Sequence, residues 1–348
     1  MKNRTSYKTV EVEKAIGMVL AHDVTEIRPG EYKGPAFKKG HRIEAGDVCH
    51  LQRLGKRHIY VIADMPGYLH ENEAAVALAN AFCGVGVEWR GEPSEGKLKL
   101  QAATDGLFKV NTEVLLKLNL LGDIMCASRH TNTLVDKGAV VAATRAIPLM
   151  IQSDIVEKAV RSAESAEGLF RVLPLKKARA GVIITGNEVF ARLIKDRFEP
   201  ILHKKIEQLG SRVQKVAFTP DDPAIIADNL HRMIAAGADL VLTTGGMSVD
   251  PDDTTRTGIA QAGGKILFYG APVLPGAMFM LAMLNGVPIL GIPACGIFHE
   301  ITLLDLMLPR ILAGDEIKRE DIAALGHGGL CLHCSECRFP VCPFGKQA

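Results

Sequence analysis

Two stretches of the 348-residue chain combine residue types at spacings that can do chemistry. The first runs Leu240-Val-Leu-Thr-Thr-Gly-Gly-Met-Ser-Val-Asp-Pro-Asp-Asp253. A short apolar run leads into Thr244, the pair Gly245-Gly246, a hydroxyl at Ser248 and three acids, Asp250, Asp252 and Asp253. Paired glycines at a strand end let the backbone turn sharply and let a ligand approach the main chain. Three carboxylates crowded on one turn repel unless a cation or cationic ligand lies between them. Asp252 or Asp253 can also cap a helix beginning near Thr254. The second stretch, Cys331-Leu-His-Cys-Ser-Glu-Cys-Arg-Phe-Pro-Val-Cys342, carries the spacing C-x2-C-x2-C-x4-C. Thiolates from Cys331, Cys334, Cys337 and Cys342 can wrap one tetrahedral metal ion or one cluster. Spacing alone does not separate zinc from an iron–sulfur cluster. His327 and His333 stand near as substitute zinc ligands.

The elements that must position the first stretch begin at Arg179, where strand and helix signals alternate. Gly181 to Gly186 reads as a strand ending in a glycine turn. Asp196 can cap the next helix, whose Phe198, Ile201, Leu202, Ile206 and Leu209 fall on one face before Gly210 stops it. A strand from Arg212 to Phe218 follows. Asp222 then sits at a cap and Pro223 at the first position of a helix with Ile226, Leu230, Met233 and Ile234 inward. Beyond the glycine turn come a strand from Lys265 to Tyr269, a turn at Leu274-Pro-Gly276 and an apolar helix reaching Leu284. A strand from Val287 to Ile292 and the turn Pro293-Ala-Cys-Gly296 lead into a last helix ending at Leu312. Units this short imply right-handed crossovers and an α/β fold with a doubly wound, mainly parallel sheet. Such a sheet collects the turns at 185–188, 219–222, 244–253, 275–277 and 293–296 along the carboxyl ends of its strands, where ligands bind. Cys295 either starts a helix, which lowers a thiol's pKa, or packs under the turn as a small residue.

Three regions are expected: an N-terminal α+β region (1–178), the α/β domain (179–315) and a Cys-rich tail (316–348). The helix pattern at Glu71–Phe82 puts Ala75, Leu78, Ala79 and Phe82 on one stripe. Gly326-His-Gly-Gly329 reads as a flexible joint that lets the tail swing. Lysine plus arginine (41) nearly balance aspartate plus glutamate (39), so no bulk attraction to nucleic acid or membrane is expected. The N-terminus lacks the apolar core of a signal peptide, and the most apolar stretch, 277–292, is broken by Asn285, Gly286 and Pro288. The expected location is the cytoplasm, where clustered cysteines point to metal or redox sites rather than disulfides.

Thr185-Gly-Asn-Glu188, Thr219-Pro-Asp-Asp222, Asp239-Leu-Val-Leu-Thr-Thr-Gly-Gly-Met-Ser-Val249 and Asp253 resemble the molybdopterin-binding domain of molybdenum cofactor biosynthesis. That domain occurs in molybdopterin adenylyltransferases and in molybdopterin molybdotransferases, the molybdenum insertases. The resemblance covers residues from about 180 to 314, and Glu13-Lys-Ala-Ile-Gly-Met-Val-Leu-Ala-His-Asp-Val24 looks like the segment that opens the insertases. The chain also departs from them. Arg28-Pro-Gly-Glu-Tyr-Lys-Gly-Pro-Ala-Phe37 stands where they carry a Ser-Ala-Met-Asp-Gly-Tyr-like motif, so their N-terminal catalytic Asp has no match. Pro275-Gly-Ala-Met278 lacks the lysine of their Pro-Gly-Lys-Pro turn. Ile292-Pro-Ala-Cys-Gly296 replaces their Leu-Pro-Gly-Asn-Pro turn, and the cysteine tail replaces their C-terminal β-domain. Val249-Asp-Pro-Asp-Asp-Thr254 also looks like a turn of the competence/damage-inducible family, which uses the fold in a nucleotide pyrophosphatase.

The resemblance implies a pterin ligand, molybdopterin or adenylylated molybdopterin, with a molybdotransferase-like activity, a non-catalytic carrier or sensor role, or pyrophosphate hydrolysis as alternatives. Backbone N–H groups at Gly245, Gly246, Gly276 and Gly296 are expected to receive the ligand's phosphate. Ser248 and Thr244 offer hydroxyl donors, with Thr185, Gly186, Pro275 and Cys295 lining the same edge. Asp253 and Asp221 are the expected catalytic acids, holding a divalent cation such as Mg2+. Glu188, Asp196, Asp222 and Asp252 complete the set, Asp196 and Asp222 alternatively serving only as helix caps. A client molybdoenzyme and a homo-oligomer are the partners the resemblance allows.

Overall fold

The computed structural model describes residues 8–62, 66–248, 250 and 253–346. The chain divides into two compact units. The first takes the residues up to Thr104 together with Lys109–Arg129 and Val135–Val172; the second takes Asp105–Phe108, His130–Leu134 and everything from Leu173 onward.

In the first unit a four-stranded antiparallel sheet orders Val87–Trp89, Lys97–Ala102, Val140–Ala146 and Ile124–Ser128. The helix Glu71–Phe82 forms as its apolar stripe requires: Ala75, Leu78, Ala79 and Phe82 are all fully buried. His70 caps it, its Nδ1 accepting from the Asn72 N–H at 3.1 Å. A smaller core of Val12, Leu20, Ile43, Leu51 and Ile59 joins the helix Ala45–Arg53 to the strand pair Lys8–Glu11 and His58–Val61. The carboxyl of Glu71 is buried beside Arg145, Glu95, Asp23 and Lys39, and burial pushes its pKa up to about 7.

The second unit is built on a six-stranded sheet of β1 (Arg179–Thr185), β2 (Arg212–Thr219), β3 (Leu240–Thr244), β4 (Lys265–Tyr269), β5 (Met280–Leu284) and β6 (Val287–Ile292). The spatial order is β2-β1-β3-β6-β5-β4. The first four in that order run parallel, while β5 is antiparallel to both β4 and β6. Helices α1 (Asn187–Phe190), α2 (Phe198–Gln208), α3 (Pro223–Ala235), α4 (Thr255–Gln261), α5 (Leu303–Leu312) and α6 (Arg319–Ala324) complete it. Two-residue alternation sorts the core onto two faces. Val182, Ile184, Leu242 and Leu290 pack with α2 and α5, and Ile183, Val241 and Ile289 pack with α3 and α4. The parallel strands end level: Thr185 pairs with Thr219, Ile184 with Thr244, and Thr244 with Ile292. This is the doubly wound α/β architecture.

Three local expectations are corrected. The run to Leu284 is strand β5 rather than a helix. Asn285 (φ +50°) and Gly286 (φ +79°) close a hairpin into β6, and both faces of β5 are buried, so its apolar run carries no alternation to reveal it. The turn after β6 makes only a short 3-10 turn at Ala294–Ile297; the helix expected to follow it directly, α5, starts at Leu303, capped by Thr302 with Asp305 reciprocating at 2.7 Å, and α6 comes after it. The segment at 326–329 is not a swinging joint. Leu274 N–H donates to Gly329 C=O and Cys331 N–H to Leu274 C=O, both at 2.8 Å. A Cβ on Gly328 would lie 2.2 Å from the Lys346 carbonyl oxygen, and Ile322, Leu325 and Phe344 of the tail are buried in the same core as α5.

The burial of Glu71 makes the fold's stability depend on pH with a definite sign. Because the folded carboxyl binds its proton more tightly than an unfolded one, its contribution is full below the ordinary carboxylate pKa. It is lost as pH rises through about 7. Glu71→Gln is therefore expected to flatten the decline of Tm between pH 5 and pH 8 and to melt higher than the wild type at pH 8. Parallel melting curves for the two proteins across that range would show that the carboxyl is not buried as described.

Candidate active site at the strand ends

The level ends of β1, β3 and β6 leave a cleft of about 610 Å³ walled by three loops and by part of the tail. The β3–α4 loop supplies Gly245, Gly246, Met247, Ser248 and Asp253. Leu274–Met278 forms a second wall, Pro293–Cys295 a third, and His299, Leu330 and His333 close the remaining side.

The glycine loop holds its shape for identifiable reasons. Gly245 and Gly246 have φ of +80° and +55°, where a side chain is strained. A Cβ on Gly245 would lie 2.4 Å from the Thr185 carbonyl oxygen, and one on Gly246 2.5 Å from Thr255 Oγ1. Beneath them runs a chain of buried hydroxyls. Thr255 Oγ1 donates to Gly245 C=O at 2.9 Å and lies 3.2 Å from Thr185 Oγ1, which donates to Thr244 C=O at 3.0 Å. On the far side the Tyr269 hydroxyl donates to Met247 C=O at 2.7 Å, and the Arg256 guanidinium stacks 4.2 Å over the Tyr269 ring. With carbonyls turned to these donors, the N–H groups of Gly246 and Met247 have no protein acceptor among the described residues. Adjacent free N–H groups form a small anion-receiving concavity.

Of the expected site residues, Gly245, Gly246, Ser248, Asp253, Pro275, Gly276 and Cys295 line this cleft. Thr185 and Thr244 are buried beneath the loop, the Thr244 hydroxyl without a partner among the described residues. Asp253 does not cap α4. Its Oδ2 accepts from the Asp250 N–H at 2.9 Å, and α4 begins after Thr254 with no side-chain cap. Asp221 lies at the neighbouring turn, where it and Asn187 exchange bonds: Asn187 N–H donates to Asp221 Oδ2 at 2.9 Å, and Asp221 N–H to Asn187 Oδ1 at 3.1 Å. Gly186 and the exposed Glu188 belong to that turn. Asp196 accepts from the N–H groups of Phe198 and Glu199, and Asp222 from those of Ala224 and Ile225, so both cap helices outside the cleft. Asp252 lies outside the described residues.

One backbone donor is already spent: Gly296 is buried and gives its N–H to Pro293 C=O at 3.0 Å. The Cys295 thiol is pushed up by burial, which outweighs the N–H groups of Gly276 and Cys295 itself that pull it down. A thiol so placed stays protonated near neutrality.

Sequence reasoning did not place Thr255, Arg256, Tyr269, Met278 or His299 at the site, and singled out His333 only as a substitute zinc ligand. A signal existed for Tyr269. Strand β4 runs the same way as β6, so its last residue belongs to the carboxyl edge with the other turns. The two histidines reach the cleft only through tertiary packing.

In the tail, Cys334 and Cys337 are exposed, while Cys331 and Cys342 are half-buried against the core. Among the described residues no three His, Cys, Asp or Glu side chains are gathered in coordinating geometry. No helix among them is long and apolar enough to cross a membrane.

Comparison with known proteins agrees with this architecture. Residues 181–313 match the family described as a probable molybdopterin binding domain, and residues 9–63 match a domain of unknown function. The chain is 36% identical over 90 residues to a CinA-like protein of Mycobacterium sp. (strain JLS), a match covering 26% of this chain and 21% of that protein. It thus spans about a fifth of that relative's length. Among solved structures, the protein CinA with unknown function from Thermoplasma acidophilum shares 19% identity, with 39% of this chain and 98% of that one covered and a TM-score of 0.35. The molybdopterin biosynthesis enzyme MoaB from Thermus thermophilus shares 19% identity, with 40% and 99% covered and a TM-score of 0.32. The chain thus carries a molybdopterin-binding-type domain at 181–313, and its fold is of that class.

Gly245 is the position where the loop's conformation and its packing can be tested together. Gly245→Ala must place a Cβ against the Thr185 carbonyl at positive φ, so the loop has to shift. A cost of about 1–3 kcal/mol is expected in urea unfolding. A change below about 0.5 kcal/mol, the usual value for a surface substitution, would mean the loop is not pinned as described.

Proposed function

We propose that the cleft binds the phosphorylated pterin of molybdenum cofactor biosynthesis, as molybdopterin or its adenylylated form, and that the protein works in the making or delivery of that cofactor. The observation that carries this reading is the Gly245–Ser248 loop at the carboxyl edge of the sheet, whose N–H groups at Gly246 and Met247 have no protein acceptor among the described residues. The family match over the same residues supports it. The phosphate sits at that concavity, and the apolar side of the cleft, Leu274, Pro275, Met278 and Leu330, takes the flat ring system. A client molybdoenzyme as recipient and self-association of the chain are extensions of the same reading.

Asp253 is the one acid lining the cleft among the described residues. Its Oδ2 is fixed by the Asp250 N–H, which leaves the other oxygen for a cation. If Mg2+ binds there, Asp253 contributes one ligand, and the bound ligand's phosphate oxygens and water contribute the rest. Magnesium then offsets charge on the phosphate oxygens. Asp221, paired to Asn187, instead shapes the adjoining turn in this reading.

The resemblance of Val249-Asp-Pro-Asp-Asp-Thr254 to the competence/damage-inducible family supports a second reading, a nucleotide pyrophosphatase using the same turn. Ligand preference separates the two. Anaerobically produced protein is expected to carry or bind a pterin dithiolene; hydrolysis of ADP-ribose with no pterin binding would establish the second reading instead.

Asp253→Asn then separates catalysis from carriage. The amide keeps the shape and removes the charge. If the protein turns over a pterin pyrophosphate or inserts molybdate, loss of one electrostatic stabiliser is expected to lower turnover about a hundredfold or more. Affinity for the anionic pterin should hold or rise, since a repelling carboxylate is gone. A carrier shows the same binding and no turnover in the wild type. Loss of binding in the variant would make Asp253 a recognition group and overturn its catalytic assignment.

A further inference from the structure

Next to the cleft lies a second cavity of about 260 Å³, and all four tail cysteines line it together with Arg338. The two cavities share three residues, His299, Leu330 and His333. From these juxtapositions we propose that Cys331, Cys334, Cys337 and Cys342 close around one thiolate-held metal centre, zinc or an iron–sulfur cluster, and that its loading fixes the tail segment that walls the ligand cleft. The coupling to the cleft rests on the functional reading above; the metal site does not.

The tail is anchored on both sides of the cysteines. Upstream, Cys331 N–H donates to Leu274 C=O and Leu274 N–H to Gly329 C=O, both at 2.8 Å. Downstream, Phe344 is buried, Gly345 N–H donates to Gly328 C=O at 2.9 Å, and Lys346 reaches the Thr133 hydroxyl at 3.3 Å. Cys331 and Cys342 therefore sit at fixed ends of a loop, packed against the core. Between them Cys334 and Cys337 are exposed, on a stretch with neither helix nor strand. The thiols face one cavity without being drawn together, and rotation of two exposed side chains with closure of this short irregular loop is the movement that ligation demands. Each ligating thiol gives up its proton to solvent. Arg338 in the same wall offsets the negative charge that four thiolates bring.

The link to the cleft follows from where His333 sits. It lies between Cys331 and Cys334, at φ +49°, with its ring 5.0 Å from that of His299. Both rings line both cavities. A metal bound through the cysteines on either side of His333 restricts that residue and, through the Cys331–Leu274 bond, the wall at 274–278.

The test uses the full chain purified without oxygen, with Cys334→Ser/Cys337→Ser as the variant because both residues are exposed and outside the packed core. Titration with cobalt as a spectroscopic stand-in for zinc, and reconstitution with ferrous iron and sulfide, distinguish the two kinds of centre. Thiolate-to-cobalt charge transfer at one equivalent, or a stoichiometric cluster absorption, is expected in the wild type and not in the variant. Amide hydrogen exchange at 274–278 and 330–333 should slow on metal loading, whether or not a pterin is present. Pterin affinity should fall about tenfold in the variant, within the usual range for coupled sites. Failure of the wild type to bind, or equal binding by the variant, overturns the metal site. Unchanged exchange on loading overturns the coupling. Metal-dependent protection without any pterin binding would keep this site and its effect on the wall, and would reject the pterin reading of the cleft instead.

Discussion

The cleft depends on one constraint: three parallel strands stop at the same level, and the chain leaving β3 must turn over the end of β1. The Gly245 position has room for a hydrogen and nothing larger, because the Thr185 carbonyl lies where a Cβ would go. The carbonyl of Gly245 would be unpaired there but for Thr255, the first residue of α4, whose hydroxyl reaches back to it. Leaving a buried carbonyl unsatisfied costs about 1–3 kcal/mol, so glycine and threonine are coupled choices ten positions apart. With the loop's carbonyls held by Thr255 and Tyr269, its N–H groups at Gly246 and Met247 have no protein acceptor among the described residues, on a loop that lines the cleft.

The acids tell a different story from the glycines. Asp196 and Asp222 hold helix starts, Asp221 exchanges bonds with Asn187, and one oxygen of Asp253 fixes the turn at Asp250. Carboxylates near strand ends are thus mostly occupied with backbone N–H groups that a sharp turn leaves unpaired. What remains for a ligand is main-chain donors, an apolar wall and one carboxylate oxygen. That balance suits a ligand with a charged end and a flat body better than one held by many side-chain contacts.

Much of this was legible in the sequence, and the reasons separate cleanly. The short continuous apolar runs of β1, β3 and β6, the proline-started helix at Pro223 and the stripe of Glu71–Phe82 are local patterns with local causes, and they appear as read. The strand at Met280–Leu284 was misread because a run buried on both faces has no period, although the Asn285-Gly286 turn marked its end. Which turns meet was a matter of topology. The turns at 244–253, 275–277 and 293–296 share the cleft, while those at 185–188 and 219–222 pair beside it through Asn187 and Asp221. Nothing local placed His299 and His333 at the cleft, since the two rings become neighbours only when the tail docks.

The docking of that tail follows from the same energetics as the rest of the domain. A segment with so little regular structure stays in place only if it buries apolar area, and it does so at Ile322, Leu325 and Phe344. A fully buried phenylalanine contributes about 3–5 kcal/mol against truncation, enough to offset ordering a few residues of irregular backbone at about 1–2 kcal/mol each. The glycines at 328 and 329 serve this close approach: side chains there would strike the Lys346 carbonyl in one case and those of Leu325 and Pro272 in the other. The tail's backbone then continues the cleft wall through Leu274 and Leu330. A cysteine-rich segment that is chemically unlike the sheet is thus, by packing, next to the cleft at the sheet's edge, and its His333 lines that cleft.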